Sequence, residues 1–358
     1  MKRLNRVEEF ILRRFNLIRT VIAVLLGSAI AAVVILLLSK TPGVSLLNLF
    51  LGVFKSRTSF ANLFETTTPL LYCGVALCIP FQAHQFNVGA EGSFYLGAAV
   101  GTAFALSVKL PPVIAPIAAL AVAALTGAIW GFIPGWFKAR FHADELVASL
   151  MLNYVAYFIG LYLINHHFRD TMANAMVSLH LPADAVFAEP IQGTRLHIGI
   201  PLAFLVACLM YIFIYHTKLG YQIRMTGSNI HFADYGGIDT RRSIILSQVI
   251  GMAIAGMGGM VDVMGLYGRF QWQSLPGYGW DGVVVVTIAR SNPLLCIPAA
   301  LFLAYLKVGG QMMSVNGDIP AEMISVVESI IILLVTAEAF LETIRYRLTV
   351  KKAGETHE

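Results

Sequence analysis

An apolar run at residues 86–107 reads FNVGAEGSFYLGAAVGTAFALS, and its GAEG motif at 89–92 places Glu91 between glycines. A second motif, GWDG at 279–282, places Asp281 between glycines at the start of another apolar run. Glycine-interrupted apolar segments in corresponding positions of two halves are typical of inverted repeats in membrane proteins. The pair therefore predicts two oppositely oriented halves.

The composition predicts a membrane protein. Hydrophobic residues make up 57% of the 358 residues, charged residues make up 13%, and the mean hydropathy is +0.73. Soluble domains contain about 25% charged residues, so most of this surface faces lipid. The four cysteines show no CxxC spacing and are interpreted as small core residues rather than as a disulfide or metal framework.

A membrane-spanning helix needs about 20 apolar residues. The sequence predicts ten such segments, of which the eighth is short, at 20–39, 66–82, 88–107, 112–137, 145–165, 198–215, 244–265, 281–290, 294–315 and 322–343. A basic leader precedes the first, but no small-residue cleavage site follows it, so we interpret it as a retained helix.

The Lys and Arg residues set the orientation. With the basic segment 1–19 in the cytoplasm, most of the 25 Lys and Arg residues fall in cytoplasmic segments, including the tail 344–358. We therefore predict an all-α polytopic bundle of about ten spans in two inverted five-helix halves, multi-pass in a membrane, with both termini cytoplasmic. This bias explains the pI near 9.0 without nucleic acid.

Small residues recur at four-residue spacing within three of the predicted spans, and they predict close helix packing. They are Gly97 and Gly101; Gly127, Gly131 and Gly135; and Gly251, Ala255 and Gly259.

The intramembrane carboxylates leave two interpretations open. Glu91 and Asp281 either cap helix N-termini, where a negative charge is favoured, or lie on a solute path. Other ionisable residues fall in or beside spans, and some must pair or face a wet cavity; they are Glu65, Asp262, Lys307, Glu322, Glu328 and Glu338.

The loop sequences indicate function less specifically than the two carboxylate motifs do. The segment 218–242 suits either a short cytoplasmic docking helix or a loop facing lipid headgroups. Four histidines in the external segment 166–197 show no metal-ligand spacing, so we predict no metal site. The chain lacks GxxxxGK[ST], HExxH and GxSxG, so we predict no catalytic residues, no ATPase site and no cofactor of its own.

Four stretches in sequence order, covering most of the chain, resemble a known family. They are Phe86–Gly92 with Thr68-Pro69-Leu70; Met151–Tyr154; Gly227, Asn229, Ala233, Tyr235, Gly236, Gly237 and Ile238; and Gly277–Gly282 through Asn292-Pro293. The chain resembles permeases of the branched-chain amino acid, ribose and simple-sugar ABC importers, and looks closest to the nucleoside subgroup that uses a basic-membrane-protein-type receptor. Val283–Val286 and Arg290 depart from the usual pattern of that family.

The resemblance implies a permease subunit of the bacterial inner membrane that moves a small polar solute, such as a nucleoside, inward by alternating access. Its implied partners are an ATP-binding subunit that holds ATP and Mg, a second and shorter homologous permease, an extracytoplasmic substrate-binding lipoprotein and membrane lipid. The implied substrate-path residues are Asn87, Glu91, Asn153 and Asp281. The implied coupling residues, in segment 218–242, are Gly227, Asn229, Ala233, Tyr235, Gly236 and Gly237.

Three alternatives remain open from the sequence. Related systems carry simple sugars or flavins, so the solute is not fixed. A secondary transporter driven by an ion gradient would share the inverted repeat but needs a focused ion site, whereas the carboxylates are scattered. A membrane-embedded enzyme would need a catalytic cluster at one membrane face, and the sequence shows none.

Overall fold

The computed structural model of the chain describes residues 41–188 and 194–316, together with positions 29–30, 32–33, 35–36, 39, 326, 329–330 and 333. These residues are almost entirely helical, and a bridge between Arg169 and Ser178 is the one β-pairing among them. The helices are α1 Pro42–Leu51, α2 Arg57–Gln82, α3 Ala90–Ser107, α4 Ile114–Phe141, α5 Glu145–His167, α6 Gly199–His216, α7 Lys218–Ser228, α8 Ile230–Tyr235, α9 Thr240–Asp262, α10 Tyr278–Ile288 and α11 Cys296–Asn316.

The structure confirms the all-helical class. Six helices in the described ranges are long and apolar enough to span a membrane: α2, α4, α5, α6, α9 with its π-helical extension to Tyr267, and α11. Two apolar helices are shorter, Pro42–Phe54 and Tyr278–Ile288. The second of these is the predicted short eighth segment.

The largest difference from the prediction lies between residues 40 and 65. We expected a loop there, but α1 begins at Pro42 and α2 begins at Arg57, with Ser56 accepting a hydrogen bond from the Ser59 N–H group. A proline in the first turn and a serine cap both favour a helix start, but the prediction relied on hydropathy, which does not register either signal.

Part of the prediction falls outside the described residues. This applies to the segments 1–19 and 344–358, to Glu322, Glu328 and Glu338, and, apart from isolated positions, to the predicted spans 20–39 and 322–343.

Helix α9 is the centre of the compact unit Phe54–Tyr305. It packs against α2, α3 and α4 at positions where a side chain would collide with backbone. A Cβ atom on Gly256 would lie 2.5 Å from the Ala123 carbonyl oxygen of α4, and one on Gly259 would lie 2.0 Å from the Phe94 carbonyl oxygen of α3. A Cβ atom on Gly251 would lie 2.5 Å from the Ala76 carbonyl oxygen of α2. The close packing predicted from the small-residue spacing is confirmed.

The loop between α5 and α6 packs on the end of α9. The N–H groups of Ser178 and Phe187 donate to the carbonyl oxygens of Phe270 and Met264. His197 is buried, stacks on the Phe187 ring with centroids 6.0 Å apart, and accepts a hydrogen bond from the Gly199 N–H group. The other three histidines of the predicted external segment, His166, His167 and His180, are exposed.

The second unit consists of residues 1–53 and 306–358, of which only a part is described. In it, α1 packs closely on the last turns of α11. A Cβ atom on Gly309 would lie 2.4 Å from the Leu49 carbonyl oxygen.

Cysteines 73, 78 and 296 are buried, as expected for small core residues, whereas Cys208 is exposed on α6. The Sγ atoms of Cys78 and Cys296 lie 3.2 Å apart.

Candidate functional site

The two glycine-flanked motifs meet in the structure, N-terminus to N-terminus. Helix α3 begins after Gly89, and α10 begins after Gly277. The buried carboxylate of Glu91 accepts hydrogen bonds from the N–H groups of Gly277 at 2.6 Å and Gly279 at 2.5 Å. Glu91 therefore lies in the first turn of its own helix and also caps the opposite helix.

The first N–H groups of a helix have no partner inside the helix, and a negative charge placed there also interacts favourably with the helix dipole. Gly279 permits the contact, because a Cβ atom on it would lie 2.4 Å from the Glu91 backbone nitrogen. Gly277 has φ of +87°, a left-handed conformation that favours glycine. Geometry thus explains the two glycines at the start of α10, Gly277 and Gly279.

A loop at residues 83–89 leads into α3, and buried amide side chains hold it. Asn87 accepts a hydrogen bond from the Gly89 N–H group and donates one to the Gln248 side chain of α9. The Gln248 amide in turn donates to Gln85 at 2.5 Å. Because buried polar groups are costly unless they are paired, this network fixes the loop against α9.

Helix α5 holds the same loop from another side. The Asn153 side chain accepts from the Gly92 N–H group at 2.9 Å and donates to the Val88 carbonyl oxygen at 3.1 Å. Ser149, one turn earlier, accepts from the Val88 N–H group at 3.2 Å. Both backbone groups of Val88 are therefore satisfied by side chains of α5.

The structure brings all four predicted substrate-path residues into one region. Asn87 and Asn153 flank the start of α3, Glu91 joins α3 to α10, and Asp281 lies in the first turn of α10. The side chains of Asn87, Glu91 and Asn153 are buried and bonded to backbone, whereas Asp281 is partly exposed.

Three residues that were not predicted from the sequence complete this region: Gln85, Ser149 and Gln248. Gln248 had a visible signal, since it is an amide within the apolar run 244–265. In hydrocarbon such a residue requires a partner, and the buried partner here is Asn87.

The segment 218–242 contains two short helices, α7 and α8. Asn229 caps α8 by accepting from the Phe232 N–H group at 3.0 Å, and Ala233 is buried. Tyr235 is 94% exposed and Phe232 is 62% exposed, so two aromatic side chains lie open on one short helix.

The turn after α8 matches the glycines of the motif. Gly236 ends the helix, with its N–H group bonded to the Phe232 carbonyl oxygen, and Gly237 has φ of +77°. The Ile238 N–H group returns to the Ala233 carbonyl oxygen at 3.0 Å, which closes the turn.

The end of α7 touches the loop that leads into α3. A Cβ atom on Gly227 would lie 2.1 Å from the Gln82 carbonyl oxygen and 2.9 Å from the Ala83 Cα atom. The Gln82 side chain donates to the Ser291 carbonyl oxygen at 2.8 Å, beyond the end of α10. The segment 218–242 is therefore in backbone contact with the start of the loop that carries Asn87.

The chain is similar in sequence to several known permease proteins over most of its length. The chain is 31% identical over 96% of its length to the guanosine ABC transporter permease protein NupP of Bacillus subtilis, covering 99% of that protein. It is 30% identical over 92% of its length to the glucose ABC transporter permease protein TsgB13 of Haloferax volcanii, covering 88% of that protein. It is 28% identical over 93% of its length to the nucleoside ABC transporter permease protein NupB of Lactococcus lactis, covering 94% of that protein.

A family model described as "Branched-chain amino acid transport system / permease component" matches residues 59–336, which include both motifs and the segment 218–242. The chain belongs to this family of membrane permease components.

Proposed function

We propose that this chain is the membrane-spanning permease subunit of an ATP-binding-cassette importer for nucleosides. The observation that carries the proposal is the family match over residues 59–336, joined by near full-length similarity to permeases named for guanosine, nucleosides and glucose. Nucleosides are favoured because two of these three relatives are named for them. Guanosine and glucose both present neighbouring hydroxyl groups, so the shared chemistry is a polyhydroxylated sugar ring. A simple sugar or a flavin is the alternative solute.

The proposed topology is ten spans in two inverted five-helix halves, with both termini on the cytoplasmic side of the inner membrane. Two observations support it. Helices α3 and α10 face each other through their N-termini, as broken helices of opposite orientation do in transporters. The docking segment 218–242 contacts the loop before α3, so both belong to one side.

The proposed mechanism begins at α8. An ATP-binding subunit contacts the exposed Tyr235 and Phe232, and movement of α7 passes through Gly227 to the backbone of Gln82 and Ala83. The coupling residues divide into three roles: Asn229, Gly236 and Gly237 shape α8, Ala233 anchors it, and Gly227 and Tyr235 make the contacts at each end.

The same movement reaches the proposed solute path. The 83–89 loop carries it to Glu91, whose bonds to Gly277 and Gly279 pass it on to α10. Asn87, Glu91 and Asn153 form one wall of the path, and Asp281 meets the solute. Weak binding along the path suits transport, because tight binding would delay release.

The chain acts with partners. We propose a separate ATP-binding subunit that binds ATP and Mg, a second and shorter homologous permease, an extracytoplasmic substrate-binding lipoprotein, and membrane lipid around the spans.

The test is uptake of labelled guanosine, glucose and riboflavin into proteoliposomes that contain all four protein components. We expect guanosine uptake that requires internal ATP and stops when the ATP-binding subunit is omitted. Uptake by this chain alone, driven by an ion gradient without ATP, would instead establish a secondary transporter. Preferential uptake of glucose or riboflavin would transfer the assignment to that solute.

A further inference from the structure

We propose that Asp262, Tyr72 and Glu65 form a hydroxyl-binding site for the sugar part of the solute, beside the α3–α10 junction. The inference rests on the proposed function and deepens it, because it names the part of the solute that the permease recognises. None of the three residues belongs to the four-residue path described above.

Asp262 is the centre of the site. Its side chain is 1% exposed, and its Oδ2 atom has no hydrogen-bond partner within the described part of the chain. An unpartnered carboxylate oxygen in a buried position is costly, so it requires a donor that arrives from elsewhere.

A π-helical turn at Val263–Tyr267 directly follows Asp262, and the Gly268 N–H group donates to the Val263 carbonyl oxygen at 2.8 Å. Such turns are frequent at functional sites. Tyr267, the last residue of this turn, interacts electrostatically with the Asp262 carboxylate.

Helix α2 supplies two more groups. Tyr72 packs on α9 one turn before Asp262, since a Cβ atom on Gly258 would lie 2.5 Å from the Tyr72 Cβ atom. The Tyr72 hydroxyl is buried, and the described residues offer it no partner. Glu65 lies two turns earlier on α2 and interacts electrostatically with Asp262. Its Oε1 atom is 3.8 Å from Arg195, and its buried Oε2 atom has no partner in the described ranges.

Aromatic rings border these polar atoms. Tyr278 opens α10 and interacts with both Asp262 and Tyr267. Its ring centroid is 5.3 Å from that of Phe94, and the Trp272 centroid is 5.6 Å from that of Phe94. Carboxylates and phenols beside aromatic faces suit a ring that is polar at its edge and apolar on its face.

The donor set fits hydroxyl groups better than a metal ion. No three His, Cys, Asp or Glu residues in the described ranges are placed to hold a metal. Neighbouring ribose hydroxyls can donate to the Asp262 and Glu65 oxygens, and one of them can accept from Tyr72. The same three atoms would serve a pyranose ring.

The experiment compares ATP-driven uptake of guanosine and 2′,3′-dideoxyguanosine by the complete transporter. The receptor is the same in every sample, so a change in the uptake ratio between variants reports on the permease. We expect Asp262→Asn to lower guanosine uptake about tenfold, the effect of one charge-assisted hydrogen bond, and to change the dideoxy analogue less than about twofold. Tyr72→Phe, which removes only the hydroxyl, should lower the ratio about threefold.

Thr102→Val is the matched control, because Thr102 also carries a buried hydroxyl without a partner in the described structure and lies outside the site. It should leave both uptake rates unchanged. The inference would be overturned if both site variants kept the wild-type uptake ratio. It would also be overturned if uptake of the two solutes fell equally, because an equal fall indicates a structural or purely electrostatic role. If Asp262→Asn fails to insert, Tyr72→Phe decides the matter.

Failure of the proposed function has a different signature. It would appear as absence of ATP-driven uptake of any hydroxylated solute by the wild-type transporter, and it would overturn both proposals. If glucose is taken up in place of guanosine, the same ratio is measured with 2,3-dideoxyglucose, and the same two outcomes decide.

Discussion

Replacing Glu91 with alanine should separate α3 from α10. The substitution leaves the Gly279 N–H group, which is buried, and the Gly277 N–H group, which is partly buried, without their acceptor. A buried donor without a partner costs about 1–3 kcal/mol, so we assign about 3 to Gly279 and about 1 to Gly277. Partners found in the unfolded state within a micelle reduce this total. We therefore expect Glu91→Ala to lower the unfolding free energy by about 2–4 kcal/mol, and Glu91→Gln, which keeps one acceptor oxygen, by about half as much.

The measurement is equilibrium unfolding of the purified chain in mixed micelles, followed by helical circular dichroism. Asp144→Ala is the matched control, because the Asp144 carboxylate also accepts from two backbone N–H groups, those of Leu146 and Val147, but at an exposed helix start. It should cost about 1 kcal/mol. If Glu91→Ala costs no more than this control, the buried carboxylate does not hold the two helices together, and the proposed relay to α10 fails.

Four further substitutions test other parts of the structure. Gly227→Val, which would press on the Gln82 carbonyl oxygen, should reduce uptake at least about tenfold while ATP hydrolysis continues; full uptake would exclude this contact from coupling. Gly236→Pro removes the N–H donor to Phe232 and should also uncouple hydrolysis from uptake, with membrane insertion intact as the check. Gly256→Val should cost at least about 1–3 kcal/mol in the same micelle assay, because α9 would lose its close approach to α4. Burial lowers the pKa of His197 to about 4, whereas its pKa in the unfolded chain is about 6.5, so protonation of the unfolded chain opposes folding at acidic pH. Acidification from pH 7 to 5 should therefore lower the unfolding free energy by about 2 kcal/mol, and His197→Gln should abolish that difference.

The helical class followed from composition, and most helix positions followed from apolar run length. Helices α4, α5 and α6 lie within a few residues of their predicted bounds. A long apolar run that crosses lipid forms an α-helix, because its backbone groups must be hydrogen-bonded within the segment. Helix α1 was missed because its sequence, PGVSLLNLFL, is shorter than a span and was assigned to a loop.

The sequence marked residues that lie together in the candidate site, but it did not indicate their contacts. The glycine-flanked carboxylates marked Glu91 and Asp281, and the structure shows that Glu91 caps the helix of the other motif rather than only its own. The bonds from Glu91 to Gly277 and Gly279 could not be predicted, because the two motifs are far apart in the sequence and nothing in either motif identifies its partner. Gln248 and Asp262 were harder to assign, because a polar residue in an apolar run signals the need for a partner but not which partner.

The contact between Gly227 and the Gln82–Ala83 peptide joins main chain to main chain, with no rotatable side chain between them. Within the proposed mechanism, a displacement of α7 would therefore move the Gln82–Ala83 peptide directly, without first reorienting a side chain. Transmission of this kind depends on the size of the residue at position 227, because any side chain there would meet the Gln82 carbonyl oxygen.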